Sequence, residues 1–208
     1  MLRGLPPTEV RRRLPRLLGA FVLLGVGLAL TVRADLGLSP WDVLHQGVSE
    51  RIGLPIGTVG ILVGLVVLLL WIPLGEQMGV GTVLNVITIG LVLDATLVLL
   101  PDELSDPGRW TALLGGTFLL GPGVALYLSC ELGPGPRDGL MTALVDRGWS
   151  LRVVRTVMEL SVLALGYLMG GTVGVGTVLI AFSLGPNIHF FLDRVRYPQL
   201  ALTPSSNT

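Results

Sequence analysis

The chain has one cysteine and two histidines among its 208 residues. Cys130 alone cannot close an intrachain disulfide or build a cysteine-rich metal site, and two histidines do not make a histidine-rich redox centre. Charge is scarce too, at 13% of residues against roughly 25% in soluble domains. That scarcity excludes an ordinary solvated globular surface. Catalytic signatures are missing: there is no His-Glu-x-x-His, no Gly-x-Ser-x-Gly and no paired-cysteine spacing. No segment outside the apolar runs is long enough to form a nucleotide-hydrolysing domain. The sequence predicts a protein that is not an enzyme and carries no cofactor, no metal and no nucleic acid partner.

Hydrophobic residues, at 51%, dominate instead, and they fall into runs long enough to cross a hydrocarbon core of about 30 Å. These runs lie near Leu17 to Val32, Leu54 to Leu74, Val80 to Leu100, Trp110 to Cys130, Leu151 to Met169 and Val173 to Leu192. The expected fold is an all-α membrane protein of six transmembrane helices in the lipid bilayer.

Arg3, Arg11, Arg12, Arg13 and Arg16 precede the first run, which the positive-inside bias places in the cytoplasm. Counting crossings puts the loop of Asp102, Glu103, Asp106 and Arg109 outside, and Arg137, Arg147, Arg152, Arg194 and Arg196 inside. The expected organisation is a basic cytoplasmic amino terminus over 1–16, a membrane repeat over 17–100, an acidic outer loop over 101–109, a second repeat over 110–196 and a disordered cytoplasmic tail over 197–208. The basic start and first apolar run also resemble a secretory or twin-arginine signal. Because the fourth run copies the first, the segment is expected to be retained.

That copying is the strongest signal in the chain. Leu36-Gly37-Leu38-Ser39-Pro40-Trp41-Asp42 returns as Leu132-Gly133-Pro134-Gly135-Pro136-Arg137-Asp138, and Gly79-Val80-Gly81-Thr82-Val83-Leu84 returns as Gly174-Val175-Gly176-Thr177-Val178-Leu179. Gly19, Gly25, Gly27, Ala29 and Leu30 likewise precede Gly115, Gly121, Gly123, Ala125 and Leu126 by 96 positions. Three crossings per unit is odd, so the two units are expected to be inverted relative to each other, with any site at their interface. Eight crossings with parallel units is the competing count. It makes spans of segments only about 22 Å long at 1.5 Å per residue, and it places the acidic loop inside.

Between the first and second runs of each unit lies a short segment, Ser39 to Gly53 and Pro136 to Ser150. Pro40 and Pro136 suit a first helical turn, Ser39 suits an N-cap, and Asp42 and Asp138 complement the positive end of a helix dipole. Each segment is a short helix, either interfacial or re-entrant. Re-entry requires that its free backbone groups face protein or a water-filled cavity.

Ionisable groups at bilayer depth are costly and point to function. Asp94 and His189 occupy equivalent positions, with Asn85 and Asn187 nearby, and form either a proton- or ion-coupling patch or polar groups near the headgroups. Arg155 and Glu159, at i and i+4, form a structural ion pair; Gly60 and Gly64 stand at the corresponding places in the first unit. The two Gly-x-Gly-Thr openings are either tight turns or backbone ligand contacts.

These motifs carry a family likeness. Over Leu17 to Arg196, the Gly37-Leu38-Ser39-Pro40-Trp41-Asp42 block, the Gly133-Pro134-Gly135-Pro136-Arg137-Asp138-Gly139-Leu140-Met141 block, the Gly-x-Gly-Thr-Val openings and Gly185-Pro186 resemble the YczE/YitT-like family of small bacterial multi-spanning proteins. The resemblance implies a bacterial cytoplasmic-membrane protein and supplies no catalytic residues.

The functional expectation is a small secondary transporter or permease-like protein. A polar solute would bind between the units near Ser39, Trp41, Asp42, His45, Arg137 and Asp138, with Arg137 meeting an anionic group and Asp94 or His189 coupling protons. The alternatives are a substrate-capture subunit served by a separate ATPase, a non-transporting assembly or regulatory factor, and in any of these cases a homodimer.

Overall fold

A computed structural model describes residues 6–195; Arg3, Arg196 and the tail over 197–208 lie outside them. The described chain forms eight helices: α1 (Pro7–Ala34), α2 (Pro40–Ile52), α3 (Ile56–Leu74), α4 (Val80–Leu99), α5 (Asp106–Ser129), α6 (Pro136–Asp146), α7 (Leu151–Leu168) and α8 (Val175–Val195). Five of them, α1, α3, α4, α5 and α8, are long and apolar enough to cross a membrane. Apolar run length alone predicts six. The difference is α7, which has the length but carries Arg152, Arg155 and Glu159. Helix α1 also starts ten residues before its apolar run, because Pro7 opens it at a first-turn position.

Helices α1 and α5 form the centre and run antiparallel. Leu24 lies against Gly123, Gly27 against Gly116, and the Phe21 and Tyr127 rings are 5.6 Å apart. A Cβ on Gly116 would stand 2.6 Å from the Gly27 carbonyl, so this crossing requires glycine on both helices, the close small-residue packing that membrane helices favour. Helix α4 lies on α1, with Gly25 beside Ile89 and Val92, and runs parallel to it. Helix α8 lies on α5 in the same sense.

Paired arginines close the ends of these helices. Arg13 of α1 donates to the Cys130 carbonyl (3.1 Å) and Glu131 carboxylate (3.2 Å) at the end of α5. Arg109 of α5, 96 positions later, donates to the Ala34 carbonyl (2.8 Å) and to Asp35 at the end of α1. Asp35 and Glu131 both adopt positive φ, at 47° and 52°. A second pair follows the same rule: Arg51 of α2 reaches the Leu168 and Met169 carbonyls that end α7 (3.1 and 3.2 Å), and Arg147, the residue that follows α6, reaches the Leu74 carbonyl that ends α3 (2.8 Å). Each guanidinium satisfies carbonyls left without an intrahelical donor and meets the negative end of the helix dipole.

The Gly-x-Gly-Thr openings dock across the repeat. The Gly81 N–H donates to the Leu132 carbonyl (2.8 Å) and the Gly176 N–H to the Leu36 carbonyl (2.7 Å), while the Thr82 and Thr177 hydroxyls accept from the Gly79 and Gly174 N–H groups. Gly37 and Gly133, at φ 109° and 125°, are the other side of the joint. A Cβ on Gly37 would lie 2.5 Å from the Gly174 nitrogen, so bulk is excluded there as well as strained. Of the two expectations for these motifs, the tight turn is the one this geometry shows.

The halves differ where α3 and α7 pack. Gly57 and Gly64 let α3 approach Gly90 and Val86 of α4 closely. Their counterparts in α7 are Arg152 and Glu159, and α7 has no comparable seam with α8, instead lying along α2 and α6. Bulk is also exchanged between halves. Trp71 of α3 fills the space over Gly139 of α6, whereas its counterpart Gly166 of α7 lets the backbone of Val43 and Leu44 in α2 come into contact.

Candidate functional site

Helix α2 begins beside the C-terminal part of α3 and runs back along it. Trp41 packs with Val67, Leu68 and Trp71, His45 lies next to Gly60, and Gly53 ends the helix three residues before α3 starts. Helix α6 starts at Pro136, whose carbonyl accepts a 3.0 Å hydrogen bond from Trp71 Nε1. The first turns of α2 and α6 therefore come together, and their side chains meet: the Arg137 guanidinium stands over the Trp41 ring, 5.2 Å from its centroid.

Asp42 is buried beneath this pair. Ser39 occupies the N-cap position of α2 but makes no cap hydrogen bond; its hydroxyl donates to Asp42 Oδ2 instead. His45 Nδ1 lies 3.6 Å from Asp42 Oδ1. Burial alone raises the Asp42 carboxyl, but the His45 hydrogen bond and the Arg137 and His45 charges, with the Ser39 hydrogen bond, outweigh it and hold it below the ordinary carboxylate value. Asp138 goes the other way. It keeps open surface in the isolated chain yet is crowded by protein atoms, and that crowding raises its carboxyl against the lowering effect of Arg137, the Gly135 N–H and Arg155. Equivalent carboxylates are thus shifted in opposite directions.

Next to this junction is an apolar cavity of about 450 Å³ between α3 and α7. Five pairs of its lining residues stand at equivalent places in the two halves: Leu44 and Leu140, Leu62 and Val157, Val63 and Met158, Val66 and Ser161, Val67 and Val162. Trp41 completes the wall, and its own counterpart is Arg137.

The remaining sequence candidates are dispersed. Asp94 caps α3 from the neighbouring helix: its carboxylate accepts from Gly57 N (2.6 Å), Thr58 N (2.7 Å) and Thr58 Oγ1 (2.8 Å). Replacing it with alanine strands three donors, and we expect Asp94→Ala to destabilise the fold by about 2 kcal/mol, within the range for lost caps and unmade hydrogen bonds. Unfolding in mixed detergent micelles measures this, and Asp94→Asn should lose less because it keeps one acceptor. Asn187 is also structural. Pro122 has no N–H for the Phe118 carbonyl, and Asn187 Nδ2 supplies one (3.1 Å) while also reaching Thr117 (2.9 Å). Asn85 is half-buried and His189 exposed, and neither makes a side-chain hydrogen bond or ion pair among the described residues. Arg155 pairs with Glu159 at 2.9 Å on the exposed face of α7. Among the described residues no group of three His, Cys, Asp or Glu side chains could hold a metal ion.

Two sets of residues escaped the sequence reading: the four capping arginines and the paired cavity lining. Both obey the same 95- or 96-residue offset as the glycines, so extending the repeat to charged and plain aliphatic positions would have found them.

The chain resembles three curated proteins over most of its length. A Haemophilus influenzae uncharacterized protein is 44% identical over 88% of this chain and 85% of its own. The Bacillus subtilis uncharacterized membrane protein YczE is 35% identical over 83% and 82%, and the uncharacterized protein YyaS of the same organism is 29% identical over 84% and 89%. No solved structure matches. The family of unknown function DUF6198 matches residues 11–193, which include both short helices, both Gly-x-Gly-Thr joints and the cavity between them, and this YczE-like membrane protein belongs to that family.

Proposed function

We propose that the chain is a small permease of the bacterial cytoplasmic membrane, built from two inverted three-span repeats with both termini in the cytoplasm and binding its solute where α2 and α6 meet. The observation that carries this reading is the cavity whose walls come in equivalent pairs from the two halves, the location at which repeat-built transporters hold their solutes. The antiparallel α1 and α5, and the reciprocal arginine and Gly-x-Gly-Thr contacts, support the inversion. Helix α7 serves as the sixth span, its Arg155 and Glu159 charges offsetting each other. Helices α2 and α6 act as re-entrant half-helices whose first turns carry the polar residues.

Arg137 receives the anionic group of the solute, and Asp42, held ionised, fixes the position of His45. Asp138 provides proton coupling. An anion at Arg137 offsets the positive charge that lowers the Asp138 carboxyl, so occupancy raises it further and favours its protonation. The sign follows: solute should bind more tightly as pH falls through the Asp138 titration. Flux into proteoliposomes tests the reading, with transport expected to fall at least tenfold in the Asp42→Asn/Asp138→Asn double variant and its pH dependence to vanish in Asp138→Asn. Unaltered flux in the double variant would remove this site. Co-purification of a cytoplasmic ATPase without autonomous flux would make the chain a capture subunit instead.

A further inference from the structure

We infer that the cavity between α3 and α7 takes a single-chain amphiphile with a carboxylate head, its alkyl chain lying between the two helices and its carboxylate on Arg137. This rests on the reading of the α2–α6 junction as the solute site and names the class of solute. The cavity walls decide the alkyl part. Apart from Ser161 and the Trp41 indole, the lining side chains are aliphatic or methionine and contribute no polar group. A small hydrophilic solute would lose its hydration there without replacement hydrogen bonds. At about 450 Å³ the space falls in the range of small-molecule sites, roughly 300–1,000 Å³. Leu62, Val66, Leu70 and Val157 along its edge are exposed, so it opens sideways on the apolar flank of the bundle, where an alkyl chain can enter from the bilayer.

The head is decided by Arg137. Its half-buried guanidinium touches the ring of Trp41, which lines the cavity, and makes no hydrogen bond or ion pair with any described residue. Asp42, by contrast, is held by Ser39 and faces His45, and the nearest oxygen to a Cβ on Gly135 is that of Asp138. A planar fork with its donors unused matches a carboxylate in two-point geometry. Asp42 and Asp138 already lie in the field of the same guanidinium, which disfavours a doubly charged head.

The test uses the full chain in nanodiscs of unlabelled phospholipid, titrated with bromine-labelled stearate while tryptophan fluorescence is read. Saturable quenching is expected, displaced by stearate and not by stearyl alcohol, and reduced in Trp41→Phe to the part contributed by the neighbouring Trp71. Arg137→Gln should weaken binding at least tenfold, as expected for a lost charge-assisted pair. Ser161→Phe, which fills the cavity from its exposed wall and spares the polar cluster, should abolish binding even if the arginine variant fails to fold. No saturable component, equal displacement by the alcohol, or quenching of Trp41 by tail-brominated phospholipid that stearate does not relieve would each overturn the inference. Stearate binding without flux would leave it standing and remove the permease reading. Flux of a short anion without stearate binding would do the reverse.

Discussion

Trp71→Ala is expected to destabilise the fold by about 3 kcal/mol, the lower end of the range for deleting a buried tryptophan. Trp71 is fully buried and joins α3 to α6 in two ways: its ring fills the space over Gly139, and its indole N–H bonds the Pro136 carbonyl at 3.0 Å. The loss comes chiefly from broken van der Waals contacts and an unfilled hole. It falls at the lower end because separated helices in lipid keep the tryptophan in an apolar medium, which shrinks the transfer contribution. Trp71→Phe keeps most of the filling and loses the hydrogen bond, so it should cost about 1 kcal/mol. Unfolding in mixed micelles orders the variants. Equal stability of Trp71→Ala and wild type would mean that α6 is held by other contacts. On the proposed reading of the α2–α6 junction, solute binding should weaken in parallel, because α6 carries Arg137 and Asp138 to it.

Gly166→Ala should be the most damaging single methyl addition in α7. A Cβ at Gly166 would overlap the backbone of Val43 and Leu44, and backbone in a packed helix cannot turn aside as a side chain can. The cost expected for such overpacking is about 3 kcal/mol, and because α2 and α7 must separate to relieve it, the cavity should deform with them. Gly115→Ala provides the control. Nothing lies within 4 Å of a Cβ there, so the substitution should be neutral or stabilise by up to about 1 kcal/mol through helix propensity. If the two variants unfolded alike, the close α2–α7 approach would not exist in the membrane.

The asymmetry between these positions explains why the halves are not interchangeable. In the first half bulk sits on α3 at Trp71 and α6 answers with Gly139; in the second, α7 has Gly166 and α2 comes close enough to touch backbone. The Gly57 and Gly64 positions of α3, matched by Arg152 and Glu159 in α7, carry the same lesson. Charged side chains cannot enter a glycine seam, so α7 leaves α8 and joins α2 and α6. The Gly-to-charge exchange at Arg155 and Glu159 is visible in the sequence, but its consequence is not, because an exchange of residues does not say which neighbour is lost.

Much of the architecture was legible from local signals. Apolar run length, proline at Pro40 and Pro136, and glycine at Gly53 locate helices to within a few residues, the start of α1 excepted, since these signals act through the residue's own backbone. The repeat at a fixed offset is also a property of the string. Partnership is different. Asp94 reads as an intramembrane carboxylate and Asn187 as a polar neighbour of His189, yet one caps α3 and the other mends the break at Pro122, because the backbone groups they satisfy belong to other helices.

The sequence by itself determined that this is a helical membrane protein made of two related halves with short polar-started helices inside each, since composition, periodicity and repetition require no knowledge of contacts. Only the tertiary structure decided that Trp41 meets Arg137, that arginines of one half close helices of the other, and that an apolar cavity lies between α3 and α7. Those facts depend on which helix faces lie together, and in a medium where every apolar face is equally well solvated by lipid, that choice is made by glycine seams and unsatisfied backbone groups.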